Sequence, residues 1–319
     1  MKRFLGWLII GALSLLVHTA AAVEASGSGP GSLKAFFVGE GYAGAPLQRR
    51  SGNHLVVSAL IDNRHASLLI DTGSPHTLID RNSVATLGLA EEKTKATVER
   101  AFGKTGEHFG VSKLNTLAMG NCMFTNVPVA IADTSDINSV SRGVHVDGLF
   151  GANEMMKFGI VIDCARQMLY VNPRGPSSAM SQKLAGFLTS RGFTRIPLRI
   201  TSNRHFDVDA TLNGHPVRLV VDTGAGTTLL AKESAIQAGV IPSPLRVRAD
   251  MGDGRYHRLN AGQVKELAIG SFKVPDADVD LGHLSNQIGA GLLGEEYLTF
   301  NFAVIDTAGL SLYLRHPDT

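Results

Sequence analysis

The stretch LLIDTGSPHTLID at 68–80 returns, lightly altered, as LVVDTGAGTTLLA at 219–231. That repetition limits the fold more than any other feature of the chain. A shift of 151 positions carries Asp71, Thr72 and Gly73 onto Asp222, Thr223 and Gly224, and then Thr77, Leu78 and Gly88 onto Thr228, Leu229 and Gly239. Upstream, ALIDNRHASLLI (59–70) and ATLNGHPVRLVV (210–221) share one hydrophobic pattern without a gap. Downstream, DGLFGANEMMKFGIVIDCARQMLYV (147–171) pairs with AGLLGEEYLTFNFAVIDTAGLSLYL (290–314) at a shift of 143, aligning Gly148 with Gly291, Gly151 with Gly294, Asp163 with Asp306 and Tyr170 with Tyr313. Ordered correspondence along two halves implies a duplicated structural unit.

Each copy reads as β structure. Short β-branched or leucine-rich runs are bounded by Asp-Asn, Asn-Gly and Gly turns, and DNRH (62–65) and NGHP (213–216) look like hairpin turns feeding the strands that end at the aspartates. SVATLGL (83–89) and ESAIQAGV (233–240) each predict one short helix closed by glycine. The expected architecture is therefore all-β and bilobal, with two pseudo-symmetric barrel-like lobes carrying a short helix each.

The 319 residues suffice for two lobes with cores of their own, and 44% apolar with 18% charged residues describes a globular chain. Residues 1–22 have the layout of a secretory signal peptide: Lys2 and Arg3, an apolar run from Phe4 to Val17, then Ala20, Ala21 and Ala22. Export to the periplasm or outside is the expectation, with membrane attachment only if the segment stays uncleaved. Without Lys2 and Arg3, 28 basic residues face 28 acidic ones, a balance with no electrostatic case for nucleic acid. SGSGPGS (26–32) places 23–50 as a flexible extension or pro-segment, and NPRGPSSAMSQ (172–182) places 173–195 as a linker. The lobes are then 51–172 and 196–319. The two cysteines, Cys122 and Cys164, leave a disulfide open, because spacing does not say whether they meet.

A hydrophobic strand entering Asp-Thr-Gly, followed well downstream by two apolar residues and a glycine, resembles the aspartic peptidases. DTGS (71–74) and DTGA (222–225) are similar to their catalytic loops, and GLFG (148–151) and GLLG (291–294) to the segments threading beside them. The chain resembles retropepsin-sized halves fused in the pepsin manner, over roughly 51–172 and 196–315. The resemblance implies a single-chain endopeptidase in which Asp71 and Asp222 activate water, one chain suffices, and no metal or cofactor is needed. Two neighbouring carboxylates resist joint ionisation, so the pair can supply both a base and an acid. It also implies support from Thr72 and Thr223, which bond across between the loops, and from Gly73 and Gly224, which let a substrate backbone approach. Ser74 and Ala225 break the symmetry; a Ser74 hydroxyl near Asp71 would favour its ionised form and leave the proton more often on Asp222.

A polypeptide substrate is expected to lie extended between the lobes, bonded like an added strand. Covering flaps are expected at FGKTGEHFG (102–110) and MGDGRYHRL (251–259), which offer Phe102, Gly103, Gly106, Gly252, Gly254 and Tyr256. Two other readings remain open: a catalytically silent peptide-binding module on the same fold, and an actin-like ATPase or sugar kinase whose phosphate loop DTGAGTT (222–228) also resembles.

Overall fold

The structure is a computed structural model that describes residues 31–317, apart from 101–102, 135–144, 245, 251–255 and 286–287. The expected signal segment lies outside the described residues.

Two-residue turns start each half. Asp62 and Asn63 take φ of 48° and 65°, and Asn213 and Gly214 take 51° and 84°, the left-handed pair required by a tight type I′ hairpin. They fold Leu55–Ile61 onto Arg64–Asp71 and Phe206–Leu212 onto His215–Val221, with Ile61 opposite Arg64 and Leu212 opposite His215. In the first half the strands run Leu55–Ile61, Arg64–Asp71, Gly148–Gly151, Leu78–Asp80, Cys122–Ala132, Gly103–Met119, and the last returns to the first through Ala118 opposite Leu60. The second half repeats that closed barrel with Phe206–Leu212, His215–Val221, Gly291–Leu293, Leu229–Ala231, Phe272–Gly282 and Tyr256–Ile269, closed by Ala268 opposite Thr211. Alternate residues point inward, so Phe206, Val208, Ala210 and Leu212 are buried while their neighbours are not.

The glycine-leucine segments thread between two strands of their own barrel. Gly148–Gly151 pairs parallel with Arg64–Asp71, placing Gly151 beside Asp71, and antiparallel with Leu78–Asp80. A Cβ on Gly148 would sit 2.1 Å from the Leu78 carbonyl oxygen, and one on Gly291 2.4 Å from that of Leu229. Only a residue without a side chain passes there.

A six-stranded antiparallel sheet joins the lobes: Ala43–Arg49, Met168–Val171, Ile160–Asp163, Val304–Asp306, Ser311–Leu314 and Thr194–Pro197. Its two central strands are counterparts in the duplication and pair with Ile162 opposite Ile305, so the pseudo-twofold axis passes through that pair. The outer strands obey the same symmetry, with Ala43 opposite Val171 and Thr194 opposite Leu314.

This sheet changes the reading of the leader and the linker. Residues 33–49, expected within a flexible extension or pro-segment, form the helix Leu33–Gly39 and the edge-side strand Ala43–Arg49; the linker contains the helix Ser178–Thr189. The helices pack on the sheet through Leu33, Phe37, Leu184 and Leu188, joined by Phe193 after the second helix, against Val161, Tyr170, Val304 and Tyr313. Leu33, Phe37 and Tyr42 fall on Leu184, Leu188 and Phe193 at the shift of 151, so leader and linker belong to the repeated unit. Short helices Val84–Leu87 and Lys232–Gln237 stand where expected, the first ended by Gly88 at φ 63°. Further helices, Ala152–Phe158 and Glu295–Phe300, follow the threading segments, each capped by the glycine that ends its segment. Cys122 and Cys164 are both free and buried, the first in a barrel and the second beside the inter-lobe sheet.

Phe37 is fully buried and stacks on Tyr170 with ring centroids 4.2 Å apart. Phe37→Ala is expected to lower unfolding stability by about 3–5 kcal/mol in a urea melt; an unchanged midpoint would return 33–39 to the status of a dispensable leader.

Candidate active site

Each aspartate sits at the end of a strand whose hydrogen bonds stop there. Arg64–Asp71 and His215–Val221 deliver Asp71 and Asp222 to the junction of the lobes, where the following turns meet. Within each turn the carboxylate bonds its own loop: Asp71 Oδ1 accepts from the N–H groups of Gly73 (2.9 Å) and Ser74 (3.0 Å), and Asp222 Oδ1 from those of Gly224 (2.8 Å) and Ala225 (3.1 Å).

The threonines tie the turns together. Thr72 N–H donates to Thr223 Oγ1 at 3.1 Å and Thr223 N–H to Thr72 Oγ1 at 3.0 Å. Each hydroxyl then donates to a carbonyl of the opposite strand, Thr72 to Val221 and Thr223 to Ile70, both at 2.7 Å. Both threonines are fully buried, so every one of these four groups depends on the other lobe for its partner.

The glycines set how close the loops come. A Cβ on Gly73 would lie 2.4 Å from the Asp222 carboxyl carbon, and one on Gly224 2.5 Å from Asp71 Oδ1. Each glycine is thus pressed against the other loop's aspartate, and the two carboxyls lie in hydrogen-bonding reach of each other. Burial pushes both above the usual carboxylate range, and the facing charge of Asp222 raises Asp71 further. Ser74 does not supply the expected asymmetry, because its hydroxyl donates to the His76 carbonyl at 2.9 Å and not to Asp71. Such a pair can hold a proton and offer a lone pair at one spot.

Two carboxylates behind the loops, Glu154 buried and Glu296 half-buried, were not legible as site residues. Glu154 Oε2 accepts from Thr77 N–H (2.8 Å) and its hydroxyl (2.7 Å), while Glu296 Oε1 accepts from Thr228 N–H (2.7 Å). Glu154 aligns with Tyr297 and not with Glu296, so the halves do the same task from different positions and the repeat does not reveal it. Segment 49–54 was also missed: Arg49 reaches Glu295 Oε1 (3.2 Å) and Thr299 Oγ1 (2.7 Å) in the second half.

Of the expected flap residues, Gly103 and Gly106 lie in the strand Gly103–Met119 and Tyr256 begins Tyr256–Ile269. Arg100 pairs with Gly103 and Asp250 with Tyr256, so both segments are hairpins, one per lobe. Phe102, Gly252 and Gly254 lie outside the described residues.

Two family models match the sequence, one in each lobe: "Aspartyl protease" over residues 57–153 and "gag-polyprotein putative aspartyl protease" over 208–299. Both halves are of the aspartyl protease kind. Among solved structures, a retropepsin-like aspartic protease from Rickettsia conorii is similar at 18% identity, covering 41% of this chain and 89% of its own, with a TM-score of 0.29. Basic 7S globulin from soybean is similar at 11% identity over 86% of this chain and 94% of its own, with a TM-score of 0.45. A search of curated proteins found no match.

Thr72→Ala strips the partners from the Thr223 N–H and the Val221 carbonyl, and is expected to destabilise the protein by about 2–5 kcal/mol in denaturant unfolding. Thr72→Ser keeps both bonds and should cost no more than about 1 kcal/mol. Equal losses in the two variants would show that the methyl group, and not the crossing bonds, holds the loops.

Proposed function

We propose that the chain is an aspartic endopeptidase that hydrolyses peptide bonds by activating one water between Asp71 and Asp222. The observation that carries this reading is the pair of carboxyls, Asp222 buried and Asp71 half-buried, brought into reach of each other by two crossing threonines. With one proton between them, the ionised carboxylate takes a proton from water as the oxygen attacks the scissile carbonyl carbon. The protonated partner gives its proton to the carbonyl oxygen, forming a neutral gem-diol. Collapse of that intermediate, with a proton passed to the leaving nitrogen, breaks the C–N bond and restores the dyad. The proton belongs to the pair throughout, so acid and base are roles of the dyad.

The substrate is an extended polypeptide lying between the lobes, with the two hairpins over it as covers. Because both aspartates come from one chain, a monomer is sufficient. The N-terminal apolar segment supports action outside the cytoplasm, in the periplasm or secreted.

The test is cleavage of an unfolded polypeptide by the purified protein and by Asp71→Asn and Asp222→Asn. Each variant is expected to lose about 10³-fold or more in kcat/KM. Binding without cleavage in the wild type would favour a peptide-binding module, and activity that requires ATP a kinase-like one.

The raised carboxyls also set the pH profile. Activity needs exactly one proton on the pair, and a raised upper ionisation moves the alkaline limb upward. That limb is expected well above the ordinary carboxylate values of about 4; a rate already lost on rising through pH ~4 would contradict the burial seen here.

A further inference from the structure

Four departures from the duplication meet in one place. At the shift of 151, Arg49 has Ile200 as its counterpart, Asn53 has Arg204, and Gly226 has Pro75; at the shift of 143, Glu295 has Ala152. In the folded chain the first-named residues close a ring across the lobe boundary. Arg49 Nη2 pairs with Glu295 Oε1 at 3.2 Å, and the Glu295 N–H donates to the Ala225 carbonyl at 2.8 Å. The next carbonyl of that loop, Gly226, accepts from Asn53 Nδ2 at 3.2 Å, and the Asn53 carbonyl accepts from Arg49 Nη1 at 3.1 Å.

Each link has a physical requirement. A guanidinium presents several donors in a fixed fork, so Arg49 holds the Asn53 carbonyl and Glu295 at once. The Cys164 carbonyl (2.9 Å) and Thr299 Oγ1 (2.7 Å) are its further acceptors. Asn53 takes φ 65°, a left-handed conformation that asparagine tolerates better than most residues. Gly226 admits the turn, because a Cβ there would lie 2.0 Å from the Gly52 carbonyl oxygen.

The loop of Asp71 lacks the ring. Its helix makes the same start, with Ala152 N–H on the Ser74 carbonyl at 2.8 Å and Asn153 N–H on that of Pro75 at 3.0 Å. The mirrored turn also forms, with Thr201 N–H on the His205 carbonyl at 3.0 Å and Arg204 at φ 67°. Ile200 and Ala152 bring no polar side chain to join it, and Pro75 fills the space that Gly226 leaves open. Among the described residues, no hydrogen bond links the mirrored turn to the loop of Asp71.

We propose that Arg49 and Asn53 are positioning residues that brace the loop of Asp222 from the first lobe, a brace the loop of Asp71 does not have. The threonine exchange ties both loops equally, whereas the ring acts further along one of them, at Ala225 and Gly226. It thereby fixes the part of the turn whose Ala225 N–H holds Asp222 Oδ1 at 3.1 Å. A loosened turn takes the carboxyl out of reacting position for part of the time, and kcat falls with the fraction in place. That catalytic consequence rests on the peptidase reading; the bracing does not.

Amide hydrogen exchange, followed residue by residue by NMR in the full chain, tests the brace without a substrate. Asn53→Gly and Asn53→Asp both suit the left-handed turn and lack the Nδ2 donor. In each, Gly224 and Ala225 are expected to exchange about 5–10-fold faster, with Gly73 and Ser74 unchanged. Arg49→Met, which keeps much of the apolar stem, should do the same; should it not fold, the two Asn53 variants carry the test. Arg204→Gly, the mirrored change, is expected to move neither loop. In the cleavage assay Asn53→Gly should lower kcat about 5–10-fold with KM within about 2-fold. Equal acceleration in both loops, or none in a folded Asn53 variant, overturns the proposal. Loop-specific exchange in an active chain whose kcat is unchanged overturns the positioning role. The same exchange pattern in a chain that cleaves nothing upholds the brace and sinks the peptidase reading.

Discussion

Thr72 and Thr223 each donate a backbone N–H to the other's hydroxyl, and the geometry of the site depends on that exchange. The groups involved are buried and satisfied only across the lobe boundary. Neither loop can hold its shape alone without leaving polar groups unpaired at a cost of about 1–3 kcal/mol each. The lobes are therefore locked in the one arrangement that sets the aspartates face to face, and the glycines next to the threonines remove the bulk that would keep them apart.

The inter-lobe sheet supplies the other half of that constraint. Its Ile162–Ile305 pair lies on the same pseudo-twofold relation that exchanges Thr72 with Thr223. Symmetry enforced in a six-stranded sheet and its paired helices is delivered to the loops by continuous backbone. Departures from symmetry then acquire meaning. Arg49 in place of an apolar Ile200, and Glu154 against Glu296, give the two halves different supports behind a frame that makes the carboxyls geometrically alike.

Much of this was legible from the chain. The repeat of Asp-Thr-Gly with its flanking strands specified both barrels, and Asp62-Asn63 and Asn213-Gly214 marked their hairpins, because left-handed turns admit few residues. The leader and linker depart from the expectation of flexible segments for a physical reason: their glycine, serine and proline content masks short helices whose stability comes from packing on the sheet and not from local propensity. The 151-residue shift that aligns Phe37 with Leu188 was the available signal. Contacts such as Arg49 with Glu295, 246 positions apart, have no local signature, since only the closed fold brings them together.

Counting the protons held by Asp71 and Asp222 decides whether they share a site. Difference titration of the wild type against an Asp71→Asn/Asp222→Asn double variant, both folded, isolates what the pair binds. One proton is expected to stay on the wild-type pair near pH 6 and to leave only at higher pH. Two carboxyls both ionised by pH 6 would mean that they do not share a site and that no dyad forms between the lobes.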